Sequence, residues 1–409
     1  MHNDPEEEKN AGGEVQMTGS SVEPRNGISI EWLWRLLVIQ VGVISISIAA
    51  SSLAFGLSLC FVLYLTATER RWLFHRTTLD YFFLAYVVVE LVTTALAVYP
   101  AQAFLNTKRL LLISIVYLVP LAFDSRMRIV NGLLAIVGIV AALSVVEVGY
   151  YYLEQESRLM IFQHYMTTGG LKMIVCLITL PFVLDSRTPS YFRKWAAGFF
   201  VPIFIALLLT NTRSSWVGFV GGFVVFSFLK SKKLFLALLA LIVLFFLLAP
   251  TQQVQRAKSI VNLADRTNHS RLVMWSTGLK IFADHPLLGV GDSDLHEIYV
   301  NYRSPDDPEG GGHLHNNYVH LLVTLGSVGL AVVLAMFIRI LVLEYKIFAK
   351  VHEDWLFGSV ALGAAGVFVG FLLNGVFEWN FGDHEIMVFV WFTVGLAIAA
   401  DGLWVKERA

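Results

Sequence analysis

Residues 310–330 read GGGHLHNNYVHLLVTLGSVGL. Three glycines, which permit positive φ and a close approach of the backbone to a ligand, lead into His313 and His315 and then into a long apolar helix. Asn316 or Asn317 is a natural N-cap for that helix. A helix N-terminus carries free N–H groups and partial positive charge, so it attracts anions. The stretch therefore predicts a titratable imidazole beside an anion site, where a loop enters a membrane.

The composition indicates a polytopic membrane protein. The chain has 409 residues, of which 56% are hydrophobic and only 15% are charged, and its mean hydropathy is +0.66. A soluble protein of this size would need more polar surface. Cys60 and Cys176 lie in apolar runs, which favours core positions over a disulfide. There is no nucleotide-binding loop of the GxxxxGK type, and no nucleic-acid partner is predicted.

Apolar segments of about 20 residues predict twelve membrane-spanning helices. Residues 1–27 are polar, carry no cleavable signal peptide and are expected to form a disordered tail. Residues 28–250 hold nine of the spans and residues 315–404 hold three, with the fourth either tilted or broken at Pro120. The predicted spans are 28–47, 49–68, 79–98, 108–123, 128–150, 168–185, 194–211, 213–230, 232–250, 315–345, 356–376 and 384–404.

Lysine and arginine concentrate in alternate loops, which sets the expected orientation. With the N-terminus in the cytoplasm, the inner loops are strongly basic and the C-terminal residues 405–409 are also cytoplasmic. The short outer loops carry few basic residues, namely Lys108, Arg109, Arg158 and Arg213. Both termini are therefore predicted to be cytoplasmic.

The loop at 251–314 is outside in this orientation and is too long for a simple connection. Residues 252–264 and 268–283 look helical, with Asn268 or Ser270 as a candidate cap for the second segment. Apolar residues recur there at helical spacing, at Leu272, Trp275, Leu279 and Phe282. This pattern predicts an amphipathic helix that lies on the bilayer surface or packs over the bundle.

Four arginines are candidates for phosphate contacts. Arg213 lies where the eighth span begins, so it is either a snorkelling anchor or a ligand of an anion. Arg271 borders the apolar face of the loop helix, while Arg266 and Arg158 are either solvated charges or further contacts. A guanidinium binds phosphate bidentately and stays charged. Arginines that converge on one face would therefore suit a diphosphate.

His313 and His315 allow three interpretations. They can ligate a metal, stabilise the helix start, or act in general acid–base catalysis. A metal site would take further ligands from the last outer loop, at Glu378, Asp383 or His384. Acid–base work by His315 is preferred, because an imidazole pKa near 6.5 suits reaction near neutrality. No metal is expected.

Other residues of these segments have simpler interpretations. His320, one turn deeper, is expected to be buried and hydrogen-bonded, and Gly326 and Gly329 are expected to let helices pack closely. The last outer loop is polar, and Glu378 and Asp383 can hold a hydroxylated acceptor or remain solvated turn residues.

The spacing after His315 resembles a family signature. His315 and Asn316, followed by nine residues, Gly326, two residues and Gly329, are similar to the motif of bacterial O-antigen ligases and their relatives. The resemblance extends to Arg213 in a TxTR-like segment, to Arg271 upstream of PLLGVG, and to the topology of about twelve spans with one large outer loop late in the chain. The superfamily also includes O-antigen polymerases and protein O-oligosaccharyltransferases.

The resemblance implies an all-α membrane glycosyltransferase of the GT-C type in the inner membrane of a Gram-negative bacterium. It implies a glycan donor on undecaprenyl diphosphate, an acceptor sugar hydroxyl on lipid A–core oligosaccharide, a periplasmic site, and no metal or other cofactor. In this interpretation His315 is the base, and Arg213 and Arg271, helped by Arg266 and Arg158, neutralise the departing diphosphate. Supporting or acceptor-binding roles are expected for His313, Asn316, Glu378 and Asp383.

Two other interpretations remain at this point. A polymerase or a protein glycosyltransferase of the same superfamily would share these motifs and differ in its acceptor. A flippase for lipid-linked glycans would instead carry charged or broken helices near the middle of the bilayer. The candidate residues here gather at one membrane face, which favours chemistry at that surface over transport.

Overall fold

A computed structural model describes residues 27–70, 73–304 and 312–409. Within these ranges the chain is helical and contains no strand. The helices are α1 (Gly27–Val43), α2 (Ile48–Glu69), α3 (Asp80–Ala95), α4 (Pro100–Asn106), α5 (Ile115–Ala122), α6 (Arg126–Leu153), α7 (Tyr165–Leu184), α8 (Ser190–Leu209), α9 (Arg213–Leu229), α10 (Lys233–Leu248), α11 (Thr251–Lys258), α12 (Arg266–Asp284), α13 (His296–Val300), α14 (Asn317–Val351), α15 (Trp355–Asn374) and α16 (His384–Lys406).

Eleven of the twelve predicted spans each overlap one described α-helix, and the fourth overlaps a 3₁₀ helix and α5. Among the described residues, eight helical segments are long and apolar enough to cross a membrane, one of them Pro100–Ala122, and α9 and α10 are shorter apolar helices. The fourth predicted span is irregular at its start, because a 3₁₀ helix at Thr107–Ser114 joins α4 to α5, which continues past Pro120. Of the predicted disordered tail, residues 1–27, the first 26 lie outside the described part of the chain. Gly27 is the first residue of α1.

Helices α7, α15 and α16 form the centre of the bundle, each with 83% of its most apolar stretch buried. Helix α9 packs tightly against α15 through glycines: a Cβ at Gly218 would lie 2.7 Å from the Gly370 carbonyl oxygen, and one at Gly222 would lie 2.5 Å from that of Gly366. Small residues at such crossings let helix backbones approach closely in lipid. The crossing fixes the start of α9 beside the loop that follows α15.

Helix α14 is broken at Gly326, which adopts φ +69° and ψ −173°. The segment Pro286–Gly291 lies against the break: Val290 N–H donates to Val323 O (3.0 Å), and Ser327 N–H donates to Pro286 O (2.9 Å). These bonds satisfy backbone groups that the helix leaves unpaired. The first turns of α14, from Asn317 to Leu325, therefore form a separate short helix, and we call the end of the bundle where it begins the outer end.

The role predicted for Gly326, close packing between helices, is wrong. Gly326 is needed because the break requires a backbone conformation that other residues rarely adopt. A Cβ there would lie 2.2 Å from Leu287 O, and this region of φ and ψ is essentially restricted to glycine. Gly329 does serve packing, because a Cβ there would approach Val89 of α3 at 3.2 Å.

We expect Gly326→Ala to destabilise the protein by about 1–3 kcal/mol, because alanine strains this backbone conformation and also collides with Leu287. Thermal unfolding in detergent should show a lower Tm. The control is Gly56→Ala in α2, where a Cβ meets nothing within 4 Å and alanine favours the helix. Equal Tm values for the two variants would contradict this account of the break.

Helix α12 differs from its prediction in its cap, and it buries a second face beside the predicted apolar one. Asp265, and not Asn268 or Ser270, caps it by accepting from Thr267 N–H at 3.1 Å. The predicted apolar face is partly outward, with Leu272 42% and Leu279 50% exposed. The face that is buried, and that packs on the start of α14, consists of Ser270, Met274, Thr277, Gly278 and Ile281.

Candidate active site at the outer end

His315 lies in the turn that leads into α14. Its φ of +44° is unusual for a residue other than glycine, and Asn316 next to it caps α14 by accepting from Tyr318 N–H (2.8 Å) and Val319 N–H (2.9 Å). The prediction of an asparagine cap is confirmed. The Asn316 side chain also donates to Val376 O at 2.8 Å, so its role here is structural.

The loop after α15 is clamped against this turn. Asn317 N–H donates to Gly375 O at 2.7 Å, and the Asn317 side chain accepts from Asn380 N–H (3.0 Å) and Phe381 N–H (3.1 Å). The clamp brings Glu378 onto His315, whose Nδ1 lies 2.8 Å from Glu378 Oε1. His313 Nε2 is 3.8 Å from the same oxygen.

Glu378 is a buried carboxylate, 6% exposed. Burial disfavours its charge, but the adjacent imidazoles of His313 and His315 and the charge of Arg271 hold the pKa of Glu378 well below its usual range. In turn, burial disfavours the protonated form of His313, and Glu378 outweighs this and raises the pKa of His313. Glu378 therefore stays ionised, and because an ionised carboxylate only accepts hydrogen bonds, Nδ1 of His315 is the donor in this contact.

Arg271 joins this group from α12. Its Nη2 lies 3.8 Å from Glu378 Oε2, and its side chain is 12% exposed. Burial lowers the pKa of Arg271, the carboxylate of Glu378 offsets part of this, and repulsion from Arg213 lowers it further. Arg271 and His315 therefore lie against the same carboxylate, that of Glu378.

Arg213 is the first residue of α9, as predicted, and is 6% exposed. It binds the segment before α12: its guanidinium donates to Ser259 O and Asn268 Oδ1, both at 2.8 Å, and to Thr267 Oγ1. It also lies 3.2 Å from Asp265 Oδ1. Arg213 is therefore a buried anchor that fixes residues 251–268, which we call the outer segment, to the bundle. Its charge also belongs to a group of arginines, the arginine cluster, formed by Arg158, Arg213, Arg256 and Arg271.

Sequence reasoning missed Arg256 of α11. Its Nε donates to Asn211 O at 3.2 Å. Burial, together with repulsion from Arg213 and Arg158, lowers the pKa of Arg256 to about 10. The charges of Arg213 and Arg158 thus act on Arg256, and several positive charges at one place attract anions. No local pattern in the sequence reveals this contact, because Arg256 and Asn211 are 45 residues apart.

Arg158 and His164 complete this side of the site. The Arg158 guanidinium lies 4.3 Å from the centre of the Tyr165 ring, and its charge acts on both Arg256 and His164. Burial lowers the pKa of His164, which also senses Glu378, His315 and His313. Arg158, which the sequence offered only weakly, is thus close to the other arginines.

Of the remaining predicted residues, Arg266 lies away from the arginine cluster, and Asp383 lies at the start of α16, where the charge of Glu378 acts on it. Arg266 is exposed and lies about 140° from Arg271 around the axis of α12, because five residues separate them at 3.6 residues per turn; among the described contacts none joins it to the cluster. Asp383 is the N-cap residue of α16 without a capping hydrogen bond. Burial, with the negative charges of Glu385 and Glu378, raises the pKa of Asp383 to about 7.

His313, His315 and Glu378 also satisfy a geometric condition for a cation. One ligand atom from each lies within 4.8 Å of the others, and two imidazoles with a carboxylate are common ligands of a divalent transition metal. The same arrangement serves a base oriented by a carboxylate. The expectation that no metal is required stays a prediction.

An apolar groove of about 280 Å³ approaches the arginines from within the bundle. It lies between α8, α9 and α10, with Phe204, Trp216 and Phe245 among its walls. Ala257 and Ile260 line it where it meets the outer segment, next in sequence to Arg256 and Ser259. A hydrocarbon chain in this groove would bring its polar end to the arginine cluster.

The family comparison agrees with this geometry. Residues 198–334 match a family model described as O-Antigen ligase, and the match confirms the predicted resemblance to the superfamily of ligases, polymerases and oligosaccharyltransferases. These are glycosyltransferase-like enzymes. The matched third of the chain includes Arg213, Arg256, Arg271 and His315, while Glu378 lies outside it. A search of curated proteins finds no match.

Proposed function

With residues 198–334 similar to the O-antigen ligase family, we propose that this protein is an O-antigen ligase. It transfers a glycan from undecaprenyl diphosphate to a sugar hydroxyl of lipid A–core oligosaccharide. The observation that carries the proposal is the contact of 2.8 Å between His315 Nδ1 and Glu378 Oε1, beside a cluster of buried and half-buried arginines. A base and an anion site on one face are what transfer from a diphosphate requires.

His315 is the general base and Glu378 holds it in the correct tautomer. Nδ1–H of His315 donates to Glu378, so Nε2 accepts the proton of the acceptor hydroxyl. The acceptor oxygen forms a bond to the anomeric carbon while the bond from that carbon to the phosphate oxygen breaks, with inversion. The bonding electrons leave with undecaprenyl diphosphate, and the proton stays on His315.

The arginines stabilise the departing diphosphate. Arg213, Arg256, Arg271 and Arg158 outnumber the carboxylates of Glu378 and Asp265 beside them. The starts of α9 and α14 add helix dipoles at the same end of the bundle, and α9 begins without a side-chain cap, so its first N–H groups can also donate to the diphosphate. Because the diphosphate is a good leaving group, positioning and charge neutralisation can supply most of the rate enhancement.

The donor lipid lies in the apolar groove between α8, α9 and α10. Its diphosphate then reaches Arg256, and its first sugar reaches His315. We further propose a GT-C fold with twelve spans in the inner membrane, both termini in the cytoplasm, and the site in the periplasm. This arrangement accounts for the gathering of the candidate residues at one end of the bundle.

The test uses the purified protein with lipid-linked glycan, lipid A–core acceptor and excess chelator. We expect transfer at an undiminished rate, because His315 and Glu378 supply the base without a metal. Loss of transfer in chelator that divalent cations restore would assign His313, His315 and Glu378 to a metal site. Movement of the donor across the bilayer with no new covalent bond would identify a flippase.

Cells that lack the gene separate the acceptor classes. A missing ligase leaves long lipid-linked polymer, a missing polymerase leaves single repeat units, and a missing protein glycosyltransferase leaves an unmodified protein. The first outcome supports the proposal and the other two overturn it.

Arg256→Gln should raise the KM for the lipid-linked donor about ten- to hundredfold, since a hydrogen bond to a charged group contributes about 1.5–3 kcal/mol. Arg266→Gln is the matched control: it removes an arginine of the same outer segment that is exposed and outside the cluster. Its donor KM should stay within about twofold of wild type. Similar KM values in both variants would remove Arg256 from the diphosphate site.

A further inference from the structure

A cavity of about 700 Å³ lies at the end of the bundle opposite the outer end, and we call it the inner cavity. The last turns of α5 and α16, the beginnings of α1 and α6, and the segment before α3 line it. Helix α16 starts at the outer end with His384 and runs 23 residues, about 35 Å, to this cavity. The volume is typical of ligand sites, and the chemistry proposed above makes no use of it.

The buried part of the lining is apolar. Its buried residues are Ile30, Leu73, Val116, Leu121, Ala399 and Leu403. Helices α5 and α16 end at the cavity, and both belong to candidate membrane spans. Because the end of a span marks the boundary between hydrocarbon and water, acyl chains of a bilayer can reach this apolar surface.

The exposed part of the lining is basic. Apart from Gly402, its exposed residues are His75, Arg76 and Lys406. The side chains of these three have no hydrogen bond or ion pair with another residue of the described ranges. They are therefore available to an anion at the mouth of the cavity.

The two carboxylates of the lining already have partners. Asp124 Oδ1 accepts from Arg128 Nη1 at 2.9 Å, and Asp401 Oδ1 accepts from Lys350 Nζ at 2.6 Å. The helix dipoles largely cancel, because α1 and α6 begin at this end of the bundle while α5 and α16 end there. The charge left uncompensated in the lining is therefore positive.

We propose that the inner cavity binds an anionic phospholipid. Its phosphate contacts Arg76 and Lys406, and its acyl chains lie against the buried apolar residues, which a soluble anion would leave uncovered. Basic pockets between membrane helices are typical sites of anionic lipid headgroups. In the orientation proposed above, this lipid belongs to the cytoplasmic leaflet. The site does not depend on the proposed glycan transfer.

The first test titrates lipids into the purified protein in a neutral detergent and measures Tm. Phosphatidylglycerol should raise Tm by at least about 3 °C at saturation, because a ligand that binds only the folded protein stabilises it. Phosphatidylcholine has no net charge and glycerol phosphate has no acyl chain, so each should shift Tm by less than about 1 °C.

The second test removes the cations. Arg76→Gln and Lys406→Gln should each raise the phosphatidylglycerol concentration at half-maximal Tm shift about fivefold, the usual effect of one basic residue beside anionic lipid. The matched control is Lys194→Gln, which removes an exposed lysine of α8 at the same end of the bundle, outside the lining. Its response to phosphatidylglycerol should equal that of wild type.

The third test fills the cavity. Gly402 lies in the lining and is exposed, and a Cβ there meets nothing within 4 Å. Gly402→Phe should therefore fold, occupy part of the space and raise the half-maximal concentration at least about tenfold. Gly198→Phe is the control, because Gly198 of α8 is equally exposed and open but lies outside the lining.

Each result supports or overturns the lipid site. Equal Tm shifts with phosphatidylglycerol and phosphatidylcholine would overturn the requirement for an anion, and a full shift with glycerol phosphate would assign the cations to a soluble anion instead. An unchanged phosphatidylglycerol response in Arg76→Gln, Lys406→Gln and Gly402→Phe would place the lipid elsewhere. Since none of these measurements uses glycan transfer, failure of the proposed function and failure of this site are distinguishable.

Discussion

Replacing His315 with alanine should lower kcat for glycan transfer by about 10²- to 10⁴-fold, the usual contribution of a positioned general base. The imidazole is placed by its neighbours: Nδ1 lies 2.8 Å from Glu378 Oε1, and the capping residue Asn316 follows it directly. The substitution leaves the cap and the clamp on Asn317 in place. Expression and the KM values for donor and acceptor should therefore stay close to those of wild type, while Tm should fall slightly because buried Glu378 loses the hydrogen bond from His315.

The matched control is His269→Ala, which removes an exposed histidine of α12 and should leave kcat unchanged. Initial rates with both substrates saturating, across a range of pH, measure the effect on chemistry alone. Full activity of His315→Ala would exclude it as the base. Residual activity that recovers with added imidazole would support the assignment, because a soluble base would then replace the missing side chain.

Glu378→Gln should lower kcat by about 10²-fold or more, because an amide can donate to Nδ1 and stabilise the wrong tautomer of His315. The carboxylate is 6% exposed and accepts from His315 in the folded protein. The exposed residue Glu156 provides the control, as Glu156→Gln. Unchanged kcat in Glu378→Gln would show that His315 does not need this partner.

The same variant changes the pH dependence of stability. The pKa of Glu378 is lowered from 4.5, so its contribution is present above that pH and is lost as pH falls. The pKa of His313 is raised from 6.5, so its contribution is present below that pH and is lost as pH rises through the folded value. The Tm difference between wild type and Glu378→Gln should therefore be largest between about pH 4.5 and 6.5 and smaller on either side.

The sequence predicts the helices well and the site in part. Apolar runs are long and local, so all predicted spans but the fourth each overlap one described α-helix, and the Asn316 cap follows from its position before an apolar segment. The pairing of His315 with Glu378 joins residues 63 apart, and the contact of Arg256 with Asn211 joins residues 45 apart. No local spacing contains such contacts, so they required the packed bundle.

Two errors have physical causes that local patterns hide. Gly326 and Gly329 look alike in sequence, but only Gly326 meets the segment Pro286–Gly291, which determines its positive φ. In α12 the cap was expected at Asn268 or Ser270 and lies at Asp265. The face of α12 that packs on the chain ahead of α14 contains Gly278, where a Cβ would lie 2.7 Å from Leu314 Cδ1, and a small residue there lets the helix come close.

The break in α14 links the helix that carries Arg271 to the turn that carries His315. Pro286–Gly291, which follows α12 directly, is hydrogen-bonded to the short helix that starts beside His315, and Trp275 Nε1 of α12 donates to Leu314 O at 3.0 Å. Arg271 and His315 are therefore carried on one body, built from two stretches of chain. If that body tilts when a bulky sugar polymer enters, the proton acceptor His315 and the anion ligand Arg271 move together. The distance between these two side chains is then preserved.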